Sequence, residues 1–173
     1  MSIGDLLMNN LNLEKSPSKT SITYFKKHLL FLGEGISRVV FALNDYLVLK
    51  VAKSSDGLMQ NFIENYVYDS CPTSLKKYLC PVIFCNNKYL IMLRTIPYID
   101  IYNKKFIDIS NLRDETTAKN DIILLANNFH LFKDDLKKIS SWGIFNNECY
   151  LIDYGCNSPE FDDFYNNLMI NNS

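Results

Sequence analysis

Residues 31–53 read FLGEGISRVVFALNDYLVLKVAK, and the order of turn and strand signals in this stretch decides the fold. Two glycines, Gly33 and Gly35, stand one residue apart near its start. Two β-rich apolar runs follow, and the Asn44-Asp45 pair between them favours a tight turn. The stretch therefore predicts a strand, a glycine turn and two further strands, which together form a three-stranded antiparallel meander.

The rest of the first half extends this sheet. Residues 24–35, YFKKHLLFLGEG, read as the strand that runs into the glycine turn. Turn residues at 54–57 precede a helix over 58–70, whose apolar positions recur at helical spacing and predict one buried face. The segment 81–93, PVIFCNNKYLIML, predicts a hairpin that turns at its paired asparagines.

The second half has a stronger helical signal. Residues 110–132 predict a helix with Ser110 or Asn111 as its cap, acidic residues in its first turn and an apolar end. Residues 142–153, WGIFNNECYLID, predict a hairpin around two asparagines that ends on an acidic residue. Residues 159–170 predict one short C-terminal helix.

Composition limits the classes of function. The chain has 173 residues, of which 47% are hydrophobic, enough for one compact domain or two small lobes. Its 18 basic residues nearly cancel its 19 acidic ones, so we expect neither nucleic acid nor a membrane as partner. No apolar run approaches the roughly 18 residues of a membrane span, and the N-terminus lacks signal-peptide features, which predicts a cytoplasmic protein. Five cysteines without a Cys-x-x-Cys pair predict reduced thiols rather than a metal site.

Three side chains beside the glycines carry candidate chemistry. Lys50 lies within an apolar strand, where a buried ammonium costs free energy unless an anion such as Glu64 is near. The alternative is a lysine that extends to solvent from a half-exposed strand. Asp153 ends a hairpin strand before Tyr154-Gly155, where its carboxylate can ligate magnesium or cap a turn. The glycine turn itself can bring backbone N–H groups against phosphate oxygens, or it can be a plain turn.

These segments follow the order of the protein-kinase motifs. LGEGISRVVF, YLVLKVAK, QNFIENYVY, KYLIMLRTIPY and YLIDYG succeed one another along most of the chain. The chain resembles a very small kinase-like protein and is similar in particular to the short kinase-like proteins encoded by bacteriophages. The resemblance implies an α+β protein with a truncated protein-kinase-like fold: an antiparallel N-lobe sheet, one αC-type helix and a reduced helical C-lobe.

The resemblance also implies how a nucleotide would bind. Gly33 and Gly35 would lie over the phosphates of ATP, and Lys50 would contact the α- and β-phosphates while it pairs with Glu64. The segment IMLRTIP around Leu93 resembles the hinge whose backbone receives the adenine.

The catalytic and metal-binding residues that the resemblance implies lie in the second half. Asp153 would bind Mg²⁺, Asp135 would orient the acceptor hydroxyl, and Lys137 would contact phosphate. The asparagine that binds the second metal in kinases is absent. Ser140 keeps its spacing from the catalytic aspartate and Ser141 directly precedes the WGI motif, so either serine is a candidate ligand.

Two departures from the kinase pattern bear on function. Arg38 stands where kinases carry the third glycine of the loop, which stiffens the backbone and adds charge near the nucleotide. Only 18 residues follow Gly155, which leaves little surface for docking a peptide substrate. We therefore expect weak transfer, to the protein itself or to one cognate partner, or no transfer.

Three functions are compatible with these residues. The first is a small atypical kinase that binds ATP and magnesium. The second is a pseudokinase-like module that engages or inhibits a host or phage protein without catalysis, in the host cytoplasm if the chain is phage-encoded. The third is a globular α+β protein without a nucleotide site.

The predicted domain organisation has three parts. Residues 1–20 form an N-terminal helix, over 5–13, and a linker. Residues 21–97 form the kinase-like N-lobe with the glycine-rich loop, and residues 98–173 form the reduced C-lobe.

Overall fold

A computed structural model describes residues 22–86, 88–109 and 116–172 of the chain. In these ranges it contains seven α-helices: α1 Ile22–His28, α2 Ser55–Ser70, α3 Thr73–Lys76, α4 Tyr98–Ile101, α5 Ala118–Asn128, α6 Lys133–Lys137 and α7 Asp162–Asn171. The same ranges contain eight strands: β1 Leu30–Glu34, β2 Arg38–Ala42, β3 Leu47–Ala52, β4 Val82–Cys85, β5 Tyr89–Leu93, β6 Ile96–Pro97, β7 Trp142–Phe145 and β8 Glu148–Leu151.

The fold is α+β, as predicted, with an antiparallel five-stranded sheet and several helices. The chain divides into two compact units. The first contains the described residues up to Asn61 together with Pro81–Arg94, and the second contains Phe62–Cys80 and the described residues from Thr95 onward. The predicted lobe boundary at residue 97 stays a prediction.

The sheet of the first unit has the strand order β1-β2-β3-β5-β4, and every neighbouring pair is antiparallel. The predicted meander of β1, β2 and β3 is confirmed. At the turn between β2 and β3, the side-chain oxygen of Asn44 accepts hydrogen bonds from the N–H groups of Tyr46 and Leu47. An asparagine favours this turn because its side chain replaces a backbone acceptor.

One face of this sheet is the hydrophobic core of the first unit. Paired residues on antiparallel strands point to the same face, and Phe41, Leu49 and Ile91 form one such row. All three are completely buried, and they form a single cluster with Phe25 of helix α1. The burial of these large apolar side chains holds the helix on the sheet.

Helix α1 contradicts the strand predicted over residues 24–35, because Ile22–His28 is helical and β1 begins only at Leu30. Phe25 is 1% exposed, and its ring centroid lies 5.7 Å from that of Phe41. A short apolar run cannot by itself distinguish a strand from a buried helical turn. Packing on the sheet decides in favour of the helix.

Helix α2, Ser55–Ser70, confirms the helix predicted over 58–70. It begins three residues earlier, so the turn predicted at 54–57 is wrong at Ser55 and beyond. Asp56 in the first turn suits the positive end of the helix dipole. The buried face includes Ile63 and Val67, as the periodicity predicted.

The hairpin predicted over 81–93 is confirmed by the pairing of β4 with β5. The side-chain oxygen of Asn86 accepts hydrogen bonds from the N–H groups of Lys88 and Tyr89. Asn87, the second asparagine of the predicted turn, lies outside the described residues.

The second unit contains a three-stranded sheet of order β6-β7-β8. The hairpin predicted over 142–153 is confirmed, and its turn residues Asn146 and Asn147 have left-handed φ values of 50° and 64°. Asparagine tolerates this conformation better than most residues do. Trp142 is completely buried, and its ring N–H donates to the carbonyl of Leu136 at 2.8 Å, which anchors the hairpin to helix α6.

Two helices of the second unit test the remaining predictions. Helix α5 is shorter than the predicted 110–132 and ends at Asn128, two residues before His130 adopts a left-handed φ of 52°. Ser110 and Asn111, the caps predicted for this helix, lie outside the described residues. The predicted C-terminal helix is confirmed as α7. The N-terminal helix and linker predicted within 1–20 also lie outside the described residues.

Candidate functional site

The two glycines of the glycine turn lie at an edge of the first unit's sheet: Gly33 is within β1, paired with Val40, and Gly35 follows β1 on the way to β2. The N–H of Gly35 donates to the carbonyl of Arg38 at 2.9 Å, which closes the turn. The ammonium of Lys53 donates to the carbonyl of Gly35 at 2.7 Å and to a carboxylate oxygen of Glu34 at 2.8 Å. Lys26 contacts the other oxygen of the same carboxylate at 3.1 Å. These hydrogen bonds, together with the charges of the two lysines, hold the pKa of Glu34 below its ordinary value.

Neither glycine of the turn is required by the geometry of the fold. A β-carbon added at Gly33 would meet no atom within 4 Å, and one at Gly35 would meet only the carbonyl oxygen of Arg38, at 3.9 Å. None of the described glycines has a positive φ. Other residues would therefore fit both positions, and glycine in a strand costs about 0.5–1 kcal/mol relative to alanine.

The second face of the five-stranded sheet carries two buried cations. Lys50 pairs with Val40 on one side and with Leu90 on the other, so these three side chains share this face. Arg38, two residues before Val40, points the same way. Lys50 is 6% exposed and Arg38 is 7% exposed. The alternative of a lysine that extends to solvent is therefore wrong for Lys50.

The loop and helix α2 are joined by polar contacts within the first unit. The hydroxyl of Ser37 donates to the side-chain oxygen of Gln60 at 2.6 Å, and the guanidinium of Arg38 donates to that of Asn61 at 3.4 Å. Asn61 is completely buried, and no described residue accepts a hydrogen bond from its side-chain nitrogen. A buried donor without an acceptor costs about 1–3 kcal/mol.

The segment predicted to act as a hinge begins at the end of β5. The N–H of Leu93 donates to the carbonyl of Pro81 at 3.0 Å, and that of Arg94 donates to the carbonyl of Tyr46 at 2.7 Å. Both N–H groups therefore already have backbone acceptors in the first unit. An adenine that bound along this segment would have to use other backbone groups.

In the second unit, the buried carboxylate of Glu64 is linked to the residue after Asp153. One oxygen of Glu64 accepts a hydrogen bond from the N–H of Tyr154 at 3.3 Å. Tyr154 is almost completely buried, and its hydroxyl donates to the carbonyl of Cys80 at 2.9 Å. Burial raises the pKa of Tyr154 well above its ordinary value, and the charge of Glu64 adds to this shift.

The start of the hairpin places one of the two candidate serines beside Asp153. The carbonyl of Ser141 accepts hydrogen bonds from the N–H groups of Ile152, at 2.7 Å, and Asp153, at 3.3 Å. Ser141 is 2% exposed, whereas Ser140 and Asp153 are exposed. The hairpin therefore brings the backbone of Ser141, rather than that of Ser140, next to the predicted metal ligand.

Asp135 lies in helix α6 and forms an ion pair with Lys138. The hydrogen bond and the charge of Asp135 raise the pKa of Lys138 above its ordinary value, with smaller contributions from Cys156 and Asp153. The negative charges of Asp135 and Asp153 therefore both act on the ammonium of Lys138. Lys137 points elsewhere and pairs with Asp134 at 3.1 Å on the exposed surface.

These residues suit magnesium only in part. Magnesium in nucleotide sites is held by one or two carboxylates together with phosphate oxygens and water. Asp153 could supply one such carboxylate. Across the described ranges, no group of three or more histidine, cysteine, aspartate or glutamate side chains is placed to hold a metal ion. An ion bound at Asp153 would therefore need its other ligands from a bound phosphate or from water.

Sequence reasoning missed Asn61 and Lys53. Asn61 lies three residues before Glu64 on helix α2, a spacing that puts both on one side of the helix. Lys53 lies three residues after Lys50, directly beyond the end of β3, and only the tertiary structure brings it to the glycine turn. A polar residue within the buried face of a predicted helix was the available signal for Asn61.

Comparisons with known proteins do not identify the chain. No model of a protein family matches it, and a search of the curated proteins finds no match. In the part of the chain that the structure describes, no helix has both the length and the apolar content needed to cross a membrane.

Proposed function

We propose that this chain is a small kinase-like protein that binds ATP with Mg²⁺ and transfers the γ-phosphate to itself or to one cognate protein. The observation that carries the proposal is the glycine turn. Gly33 and Gly35 occupy positions where neither packing nor φ demands glycine. A ligand that approaches the backbone closely gives a reason for both, and phosphate oxygens bound by backbone N–H groups of the turn other than that of Gly35 are such a ligand.

The roles of the charged residues follow from their chemistry. Lys50, held in the centre of the sheet, would contact the phosphates, and Asp153 would ligate the metal. In the transfer step, the acceptor oxygen attacks the γ-phosphorus and the bond to the bridging oxygen of ADP breaks. The acceptor proton passes to Asp135 or to solvent. The kinase-like fold and the phage-type resemblance are parts of this proposal.

A thermal-shift titration with ATP, with and without Mg²⁺, tests the binding step. ATP at about 100 times its Kd should add roughly 2.7 kcal/mol of stability, a shift of about 5–10 °C for a chain of this size. We expect Lys50→Met and Asp153→Ala to lose the shift. Lys27→Met and Asp163→Ala, at exposed positions, should keep it. A Tm that ATP leaves unchanged at millimolar concentration would exclude the nucleotide site.

A second candidate is nucleotide binding without transfer, in a pseudokinase-like module that engages a host or phage protein. The observation that favours it is the ion pair between Asp135 and Lys138. Asp135 is the residue proposed to orient the acceptor hydroxyl, and its carboxylate is already bound to this lysine. Incubation with γ-labelled ATP separates the two candidates. Label that appears on the protein and is lost in Asp135→Asn supports transfer, whereas ATP binding without label supports the module.

A further inference from the structure

One edge of the first unit's sheet exposes a run of large apolar side chains. β1 is the outer strand of that sheet, and among the described strands it pairs only with β2. The side chains of Leu30, Phe31 and Leu32, here called the apolar edge, are 62%, 46% and 42% exposed. Single exposed apolar residues are common, but three in succession on an edge strand are what proteins usually cover with a helix or loop.

The backbone of β1 discourages the addition of a further strand. Its pairing with β2 loses regular register between Phe31 and Gly33, so Leu32 is the extra residue of a β-bulge. A bulge on an edge strand is one of the devices that prevent strand addition. The apolar edge is therefore suited to the apolar side of a helix rather than to the β1 strand of a second copy.

The residues that precede α1 supply an apolar side of this kind. Residues 1–21 lie outside the described ranges, and their sequence predicts a short amphipathic helix over 5–13. Four leucines fall within one half of the circumference of this predicted helix. They are Leu6, Leu7, Leu11 and Leu13. Asn9 and Asn12 fall outside that half, so the leucines can contact another surface while these asparagines remain in water.

Charge favours the same contact. The two charged side chains of residues 1–14 are both acidic. The last turn of α1 is basic, with Lys26, Lys27 and His28, and the ammonium of Lys26 lies 5.6 Å from the ring centre of Phe31. Glu34 does not cancel this charge, because its carboxylate binds two lysines. An acidic segment is therefore attracted to the surface around the apolar edge.

The connecting chain is long enough for this contact. Residues 14–21 can span roughly 26–29 Å between the predicted helix and the start of α1. The seven residues of α1 then cover about 10 Å, and the chain enters β1 two residues after α1 ends. β1 itself is about 17 Å long. The leucines of the segment can therefore reach every part of the apolar edge.

We propose that the leucine side of residues 5–13 covers the apolar edge of β1. The contact removes apolar surface from water, and it shields an edge strand that would otherwise favour association with other chains. The inference does not use the nucleotide, so it stands or falls independently of the proposed function.

Hydroxyl-radical footprinting of the full chain tests the cover, with labelling of residues 30–32 read by mass spectrometry. Leu7→Lys/Leu11→Lys places two ammonium groups on the leucine side, where burial against apolar side chains is unfavourable. We expect labelling of residues 30–32 to rise at least about threefold, because the population with the segment in contact falls. Equal labelling in the wild type and this variant overturns the proposal.

Asn9→Lys/Asn12→Lys is the matched control, since it adds the same two charges outside the leucine side. We expect it to label residues 30–32 as the wild type does. A rise equal to that of the leucine variant would show that repulsion from the lysines of α1 is sufficient, which overturns the apolar contact. Ile170, 72% exposed on α7 of the second unit, is the internal reference and should be labelled equally in all three proteins.

Dilution separates this cover from a second copy. Labelling of residues 30–32 in the wild type should not change when the protein is diluted from high to low micromolar concentration, because the segment belongs to the same chain. Labelling that rises on dilution would show that copies of the chain cover one another, and the proposal would be wrong.

Discussion

Gly57 and Gly143 differ from Gly33 and Gly35 in what surrounds them. A β-carbon at Gly57 would collide with the carbonyl oxygen of Ser37, and one at Gly143 would collide with the side chain of Thr95. The two glycines of the turn have open space around them instead. The first pair is glycine because the fold packs tightly there, whereas packing gives no reason for glycine at the second pair.

This difference separates glycines that the packing demands from glycines that it does not demand. A glycine that the packing demands says nothing about ligands. A glycine that the packing does not demand lowers stability, and the proposed function explains this cost at Gly33 and Gly35 by a ligand. Alanine substitutions at these glycines, with measurements of both stability and ligand binding, test whether the two pairs really differ.

Gly57→Ala should have the largest effect. The new methyl group would press on the backbone of Ser37 and on Ala52, and neither can move without shifting a strand. We expect a loss of about 2 kcal/mol, net of the better helix propensity of alanine, and a Tm lower by roughly 4–8 °C. Thermal unfolding measures it. An unchanged Tm would show that the helix can move away from the sheet easily.

Gly143→Ala should have a smaller effect, because the nearest atoms belong to the side chain of Thr95, with the carbonyl of Ile96 at 3.1 Å behind it. We expect a loss of about 1 kcal/mol. The double variant with Thr95→Gly should recover part of this loss relative to Thr95→Gly alone. Additive effects in this double-mutant cycle would contradict a direct collision.

Gly33→Ala should leave stability unchanged or raise it by about 0.4–1 kcal/mol, since the methyl group meets nothing and the unfolded chain loses freedom. Under the proposed function, the same variant should bind ATP more weakly, because the methyl group stands where the phosphates approach. A stabilised variant with wild-type ATP affinity would place the glycine outside any phosphate loop. Gly57→Ala supplies the opposite pattern for comparison.

Lys53→Met should loosen the glycine turn without changing Tm measurably, because the lysine contacts are partly exposed. Hydrogen exchange over residues 33–37 should become faster. Lys26→Met is the matched control, since Lys26 contacts Glu34 but not the carbonyl of Gly35. Equal exchange in the two variants would show that the contact to Gly35 does not hold the turn.

The smallest effect concerns Glu34 and pH. Its pKa is lowered in the folded protein, so its contribution to stability is present above the ordinary value of 4.5 and is lost as pH falls through the lower, folded value. Glu34→Gln lacks this contribution at every pH. The Tm difference between the two proteins should therefore be larger at about pH 6 than at about pH 3. A difference that grows toward low pH would contradict the lowered pKa.

Several elements could be predicted from local sequence. The meander, both hairpins and helix α2 follow from alternation, asparagine turns and helical spacing, because these signals act between residues close in the chain. The predictions of secondary structure failed where tertiary contacts override local preference. Ile22–His28 is a helix because Phe25 packs on the sheet, and residues 55–57 belong to a helix although their composition is typical of a turn.

The candidate site divides in the same way. The sequence alone determined which residues are candidates for chemistry, since a lysine within an apolar strand and an aspartate at the end of a hairpin are visible as local anomalies. The tertiary structure alone decided that Arg38 and Lys50 share one buried face, that Asn61 accepts a hydrogen bond from Arg38 and that Lys53 holds the turn. The reason is physical: strand register and helix packing set distances between residues far apart in the chain, and no local preference encodes those distances.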